Sequence, residues 1–190
     1  LDDALERLAE QNAADARALA DAWDARGDAR KAFVRDADRA IRRTVAGLLR
    51  TVDRLLDRHL APFLRHQNHD SLPSHRSGAS RREIAARIHA VQNLYLGRYQ
   101  RSDNSTLRRK GIGSIVRRLY PNLDRRMRES LERAAERLRN LPASVAESPG
   151  LEPPTTPMRE LVGALEKQRR LLRSLRDRLN ARSGAGPHGR

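Results

Sequence analysis

Apolar residues recur along most of this chain at spacings of three and four, the period of a helix with one buried face. Leu1, Leu5, Leu8, Ala16, Leu19 and Trp23 trace such a stripe over residues 1–25. Asp2, Asp3 and Glu6 fall in its first turn, where the helix dipole favours anions. Gly27 marks a turn. A longer stripe follows, made of Phe33, Ala37, Ile41, Val45, Leu48, Val52, Leu55, His59 and Phe63. It predicts a second helix over 29–66, with Pro62 kinking or shortening the last turn. Ser80 and Glu83 have the spacing of a capping box and open a third helix that buries Ile84, Ile88, Val91 and Tyr95 and stops at Gly97.

A short helix is predicted from Ile112 to Leu119. A long one over 122–141 turns Leu123, Met127, Leu131, Ala134, Leu138 and Leu141 inward. The last, over 157–182, carries a heptad-like seam of Met158, Leu161, Leu165, Gln168, Leu172, Leu175 and Leu179. Residues 67–79 and 98–111 read as polar loops. Residues 148–157 hold five Pro or Gly and read as a stiff linker, and residues 183–190 as a disordered tail. Single-faced stripes must bury one another. The predicted fold is therefore all-α, an antiparallel four-helix bundle with one short extra helix, in a single domain over 1–182.

Composition supports this class. Hydrophobic residues make up 38% and aromatic residues 3%, so Leu and Ala must fill the core, and β-formers are sparse. The absence of Cys excludes disulfides, thiolate metal sites and cysteine nucleophiles. No apolar run has the length of a membrane-spanning helix. The chain starts at Leu1 without a signal-peptide pattern, which leaves a removed signal or an upstream region as the two expectations.

Net charge is +15, and it is unevenly placed. Residues 1–28 hold eight acids and three bases; residues 81–140 hold sixteen bases and six acids. The acidic first helix is expected to dock beside a basic one. The basic residues are nearly all Arg, a skew that coding bias and polyanion binding explain equally well.

Candidate chemistry is thin. His66 and His69 have the spacing of a metal pair, but they lie where a helix ends, with Asp70 as the nearby carboxylate. Solvated loop histidines are the plainer reading. His59 and His89 read as hydrogen-bonded boundary histidines. Residues 108–113, rich in Arg and Gly, lack the spacing of a P-loop. Arg117, Arg118, Arg125, Arg126 and Arg128 form a basic patch suited to phosphates, although Asp124, Glu129, Glu132 and Glu136 offer it partners at helical spacing. Few aromatics are present to stack single-stranded bases. No convincing nucleophile or carboxylate pair is placed for catalysis, so no active site is expected in this chain.

Three segments between Leu72 and Leu141 carry a family resemblance. Pro73-Ser-His-Arg-Ser-Gly-Ala-Ser80 resembles the Glu-Ser-x-x-Ser-Gly-x-Ser segment of the imelysin family, with Pro73 where the family usually has Glu. Ile88-His-Ala-Val-Gln-Asn-Leu-Tyr-Leu-Gly97 resembles its aromatic-Leu-Gly helix end. Gly113-Ser-Ile-Val116, Tyr120-Pro-Asn-Leu-Asp124 and Asn140-Leu-Pro142 follow in the family's order. Imelysin-like proteins are bacterial envelope proteins labelled metallopeptidases and linked to iron uptake. They are built from two helical bundles, with a Gly-x-His-x-x-Glu motif in the first.

That motif does not occur here, so the resemblance implies the second bundle, with no cofactor of its own. Iron or another divalent metal would belong to the full-length protein. The implied partner is an N-terminal imelysin-like bundle, and the implied location is the periplasm or cell envelope. Ser74, Arg76, Ser77 and Ser80 would lie at the cleft between the bundles. Two other readings stand beside this one. One is an Arg-rich module binding nucleic acid or an anionic membrane surface, and the other is a metallopeptidase fragment.

Overall fold

The computed structural model describes residues 2–24, 26–66, 69–73, 79–100, 105–141 and 155–184. The chain divides into two compact units, residues 1–44 and 45–190. Helices make up nearly all of the described elements, so the fold is all-α.

In the first unit α1 (Asp2–Trp23) packs against α2 (Asp28–Arg35). The turn between them is tight. The Gly27 amide donates to the Asp24 carbonyl at 3.0 Å, and a Cβ at Gly27 would lie 2.3 Å from the Ala22 carbonyl oxygen. Trp23 and Phe33 meet edge to face, with ring centroids 5.3 Å apart. The stripe predicted to face inward here is not buried. Leu19, Trp23 and Phe33 are exposed, and α2 buries no residue.

The single helix predicted over 29–66 is broken twice. Asp36 leaves helical geometry, and its Oδ1 accepts from the Arg39 amide at 2.8 Å. It thereby caps α3 (Ala37–Arg54) as an N-cap aspartate does. Beyond α3 the chain widens into a π turn, Leu55–Leu60, in which the Ala61 amide donates to Leu56 O, five residues back. Pro62 follows at once in α4 (Ala61–His66) and has no N–H to continue the tighter ladder. The wide turn changes which side chains face in. Leu55, Leu56 and Leu60 are buried together, while His59 sits at the boundary and donates from Nδ1 to the Ser71 carbonyl at 2.7 Å. Ser71 Oγ returns a bond to the His59 carbonyl at 3.2 Å, tying the turn to the 3₁₀ segment His69–Ser71.

The second unit is built around α5 (Ser80–Leu96), α6 (Ile112–Leu119), α7 (Pro121–Arg139) and α8 (Thr155–Gly184). Helix α7 packs along α8 and against α5 and α6, and α8 also meets the π turn and α4. The inward residues predicted for α5, α7 and α8 are buried at every position from Ile84 to Leu179. Arg169 of α8 reaches Asp57 at 2.8 Å and Asp53 at 3.7 Å while holding Glu166 on its own helix. Burial works against its charge, but the bonds from Glu166 and Asp57 outweigh that and raise its pKa.

Three local expectations are corrected. Ala79, not Ser80, occupies the N-cap of α5, and no side chain caps it. Glu83 pairs with Arg87 one turn on. Residues 98–111 are not all loop, because Arg98–Gln100 (β1) and Thr106–Arg108 (β2) form an antiparallel hairpin with Tyr99 opposite Leu107. Finally, α8 begins two residues early, with Pro157 inside its first turn, where a missing N–H costs nothing. Residues 185–190 of the expected tail lie outside the described residues, as do 142–154 around the expected linker.

Candidate functional site

The base of the hairpin is where the chain approaches itself most closely. Helix α5 ends at Gly97, which is left-handed at φ 69°. Its carbonyl accepts from the Arg109 amide at 2.7 Å. A Cβ on Gly97 would lie 2.0 Å from the Arg109 oxygen, and one on Gly111 would lie 2.3 Å from the Gly97 nitrogen. Only glycines permit this crossing. It places α6 against the last turn of α5, where a Cβ on Gly113 would meet Tyr95 Cε1 at 2.8 Å. The glycines of the segment 108–113 thus serve backbone approach.

Tyr95 and Asp124 face each other across this junction, and both are buried. The Tyr95 hydroxyl donates to Asp124 Oδ1 at 3.0 Å. Asp124 Oδ2 accepts from Arg128 Nε at 2.8 Å and from Arg117 Nε at 3.2 Å. Three elements therefore converge on one carboxylate. Arg128 comes from one turn along α7, Arg117 from α6 and Tyr95 from α5. Burial alone would raise the Asp124 pKa, but the hydrogen bonds from Arg128, Arg117 and Tyr95 outweigh it and hold the group below the usual carboxylate range. Tyr95 is driven the other way, first by burial and then by the Asp124 charge, to above the ordinary tyrosine range. It acts as a donor that does not ionise. A carboxylate that accepts from three elements in this way is a clamp between helices.

The five arginines of the predicted basic patch are thereby divided. Arg117 and Arg128 are committed to Asp124. Arg118 and Arg125 are exposed on α6 and α7. Arg126 lines a cleft between the start of α7 and α8. The intrahelical pairing expected of Asp124 is present in its bond to Arg128. The partners Arg117 and Tyr95, which come from other elements, left no periodic signal in the sequence.

His66 is exposed at the end of α4, and His69 opens the following 3₁₀ turn. Among the described residues no three His, Cys, Asp or Glu come together as metal ligands would. His89 is exposed and hydrogen-bonded to Gln92 Oε1 at 3.1 Å. Ser74, Arg76 and Ser77 lie outside the described residues. Ser80 is fully buried in the first turn of α5, and its Oγ has no partner among the described residues. No described helix is long and apolar enough to cross a membrane.

No curated protein and no solved structure matches this chain. The family model for imelysin, peptidase family M75, matches residues 3–182. That match takes in both compact units and the Tyr95–Asp124 clamp, and the chain belongs to the imelysin family.

Proposed function

We propose that this chain is a non-catalytic helical part of an envelope-associated imelysin protein that binds or takes up iron, with the metal-holding motif in residues outside these 190. The observation that carries the reading is the state of Asp124. The buried carboxylate at the junction is spent on Tyr95, Arg117 and Arg128, so the one buried acid among the described residues holds helices together. In this reading the long helices act as an antiparallel four-helix frame. The start of α5, with Ser74, Arg76, Ser77 and Ser80, is the edge that meets a neighbouring imelysin-like bundle.

Titration calorimetry of the 190-residue chain with Fe(II) and with Zn(II) tests the proposal. The expected result is no one-to-one binding tighter than about micromolar. Tight stoichiometric binding by this chain alone would overturn it. So would chelator-sensitive cleavage of a protein substrate, the outcome that the peptidase reading requires.

A further inference from the structure

A cleft of about 490 Å³ opens between the first turn of α7 and the stretch of α8 from Lys167 to Arg178. Arg126, Lys167, Arg170 and Arg178 bring four cations to it, Ser174 brings a hydroxyl, and Tyr120 forms a wall. No Asp or Glu lines it.

Three other arginines of α8 are in a different state. Arg169 holds Asp57 and Glu166, Arg173 holds Asp53, and Arg176 holds Asp177. Among the described residues none of Arg126, Lys167, Arg170 and Arg178 has a carboxylate within ion-pair distance. Positions 167, 170, 174 and 178 step by three and four, so they share one face of the helix.

The geometry also suits a particular charge. Four like charges around a concavity raise its potential. Guanidinium forks match the paired oxygens of a phosphate, and a lysine adds a point charge. The Arg178 guanidinium already lies 5.4 Å from the centre of the Tyr120 ring, which limits its freedom before any ligand arrives. The cleft is of a size that holds a small molecule or a headgroup.

We propose that this cleft binds a phosphate group carrying two or more negative charges, presented either by a soluble compound or by a lipid headgroup. The proposal is independent of the iron reading. Amide chemical shifts of the full chain, followed during titration with inorganic pyrophosphate, test it. The expected result is saturable change confined to residues around 120–126 and 167–178. The R170Q/R178Q variant should weaken binding about tenfold or more, while R118Q/R125Q, which removes exposed cations outside the cleft, should stay within about twofold. Unsaturable change spread over all arginine-bearing faces overturns the proposal, and so does an equal loss in the control variant.

Phosphatidylcholine vesicles containing phosphatidic acid separate the two sources. Vesicle capture that both pyrophosphate and R170Q/R178Q abolish identifies a headgroup. Pyrophosphate binding without vesicle capture identifies a soluble phosphate compound. Vesicle capture that neither treatment changes places the anion contact elsewhere and overturns the assignment.

Discussion

Tyr95 Oη lies 3.0 Å from Asp124 Oδ1, so the last turn of α5 is fastened to the first turn of α7 by one hydrogen bond in the core. The two ends of this bond are not equivalent. Tyr95→Phe removes a donor and leaves Asp124 with two arginines, at a cost of about 1–2 kcal/mol. Asp124→Asn removes the charge that Arg117 and Arg128 both face. Arg117 is 64% exposed and Arg128 only 28%, so the first loses little and the second more. The expected cost is about 2–4 kcal/mol, below that of a fully buried pair because water screens one partner. Urea unfolding of both variants should give the order wild type, Tyr95→Phe, Asp124→Asn. The reverse order would mean that the carboxylate is not the centre of the cluster.

The same carboxylate sets an acid limit on stability. Its pKa is lower folded than unfolded, so its contribution is complete above the unfolded value, about pH 4. The contribution is lost as pH falls from there through the folded value. Asp124→Asn should therefore cost stability near neutral pH and lose less than the wild type on acidification below about pH 4. Urea midpoints measured across that range check this. Parallel curves for the two proteins would show that Asp124 is not held low.

The two glycines at the hairpin base and the one beneath Tyr95 should separate by mechanism. Gly97→Ala meets both a left-handed backbone and a carbonyl oxygen 2.0 Å away, and nothing at the site can yield. A loss of about 3 kcal/mol or more is expected. Gly113→Ala meets a tyrosine ring edge at 2.8 Å, Arg128 Nη2 at 3.0 Å and the Tyr95 carbonyl oxygen at 3.0 Å, so two of its three near neighbours are side-chain atoms. It should cost less, about 1–3 kcal/mol, and it should also shift Tyr95 off Asp124. Thermal unfolding separates the cases by the size of the loss, and tyrosine absorbance reports the displaced ring in Gly113→Ala.

What the sequence disclosed follows from what periodicity measures. The seam from Met158 to Leu179 and the stripe from Leu123 to Leu141 are buried as expected, because a long helix with partners on one side records its burial at every turn. The stripe ending at Trp23 has the same period but is exposed at Leu19 and Trp23, since period identifies an apolar face and not what covers it. Breaks were harder to see. Asp36 caps α3 with no Gly or Pro beside it, and the π turn moves burial from His59 to Leu56 and Leu60. The clamp was half legible. Asp124 and Arg128 are four apart on one helix, while Tyr95 is 29 residues away and meets them only through the glycine crossing. The cationic cleft joins Arg126 to residues more than forty positions on, and its mark is an absence of acids that no single window displays.

Not every polar group in the core holds the fold together. Arg137 pairs with Glu160 at 2.9 Å, and Arg178 lies over Tyr120, so α7 and α8 run in opposite directions in a fixed register. That register sets Ser130 level with Gln168. Both are buried, and neither Ser130 Oγ nor Gln168 Oε1 has a partner among the described residues. An unpartnered buried oxygen loses its water on folding and gains nothing in return. Ser130→Ala removes such an atom, keeps the backbone and improves helix propensity. It should therefore stabilise the chain by about 0.5–1.5 kcal/mol, an unusual sign for a core substitution. The signature is a higher urea midpoint with an unchanged slope. A lower midpoint would mean that the hydroxyl is satisfied in solution by a buried water shared with Gln168. Ser130→Ala in a Gln168→Leu background would then cost nothing, because the water would already have lost its second partner.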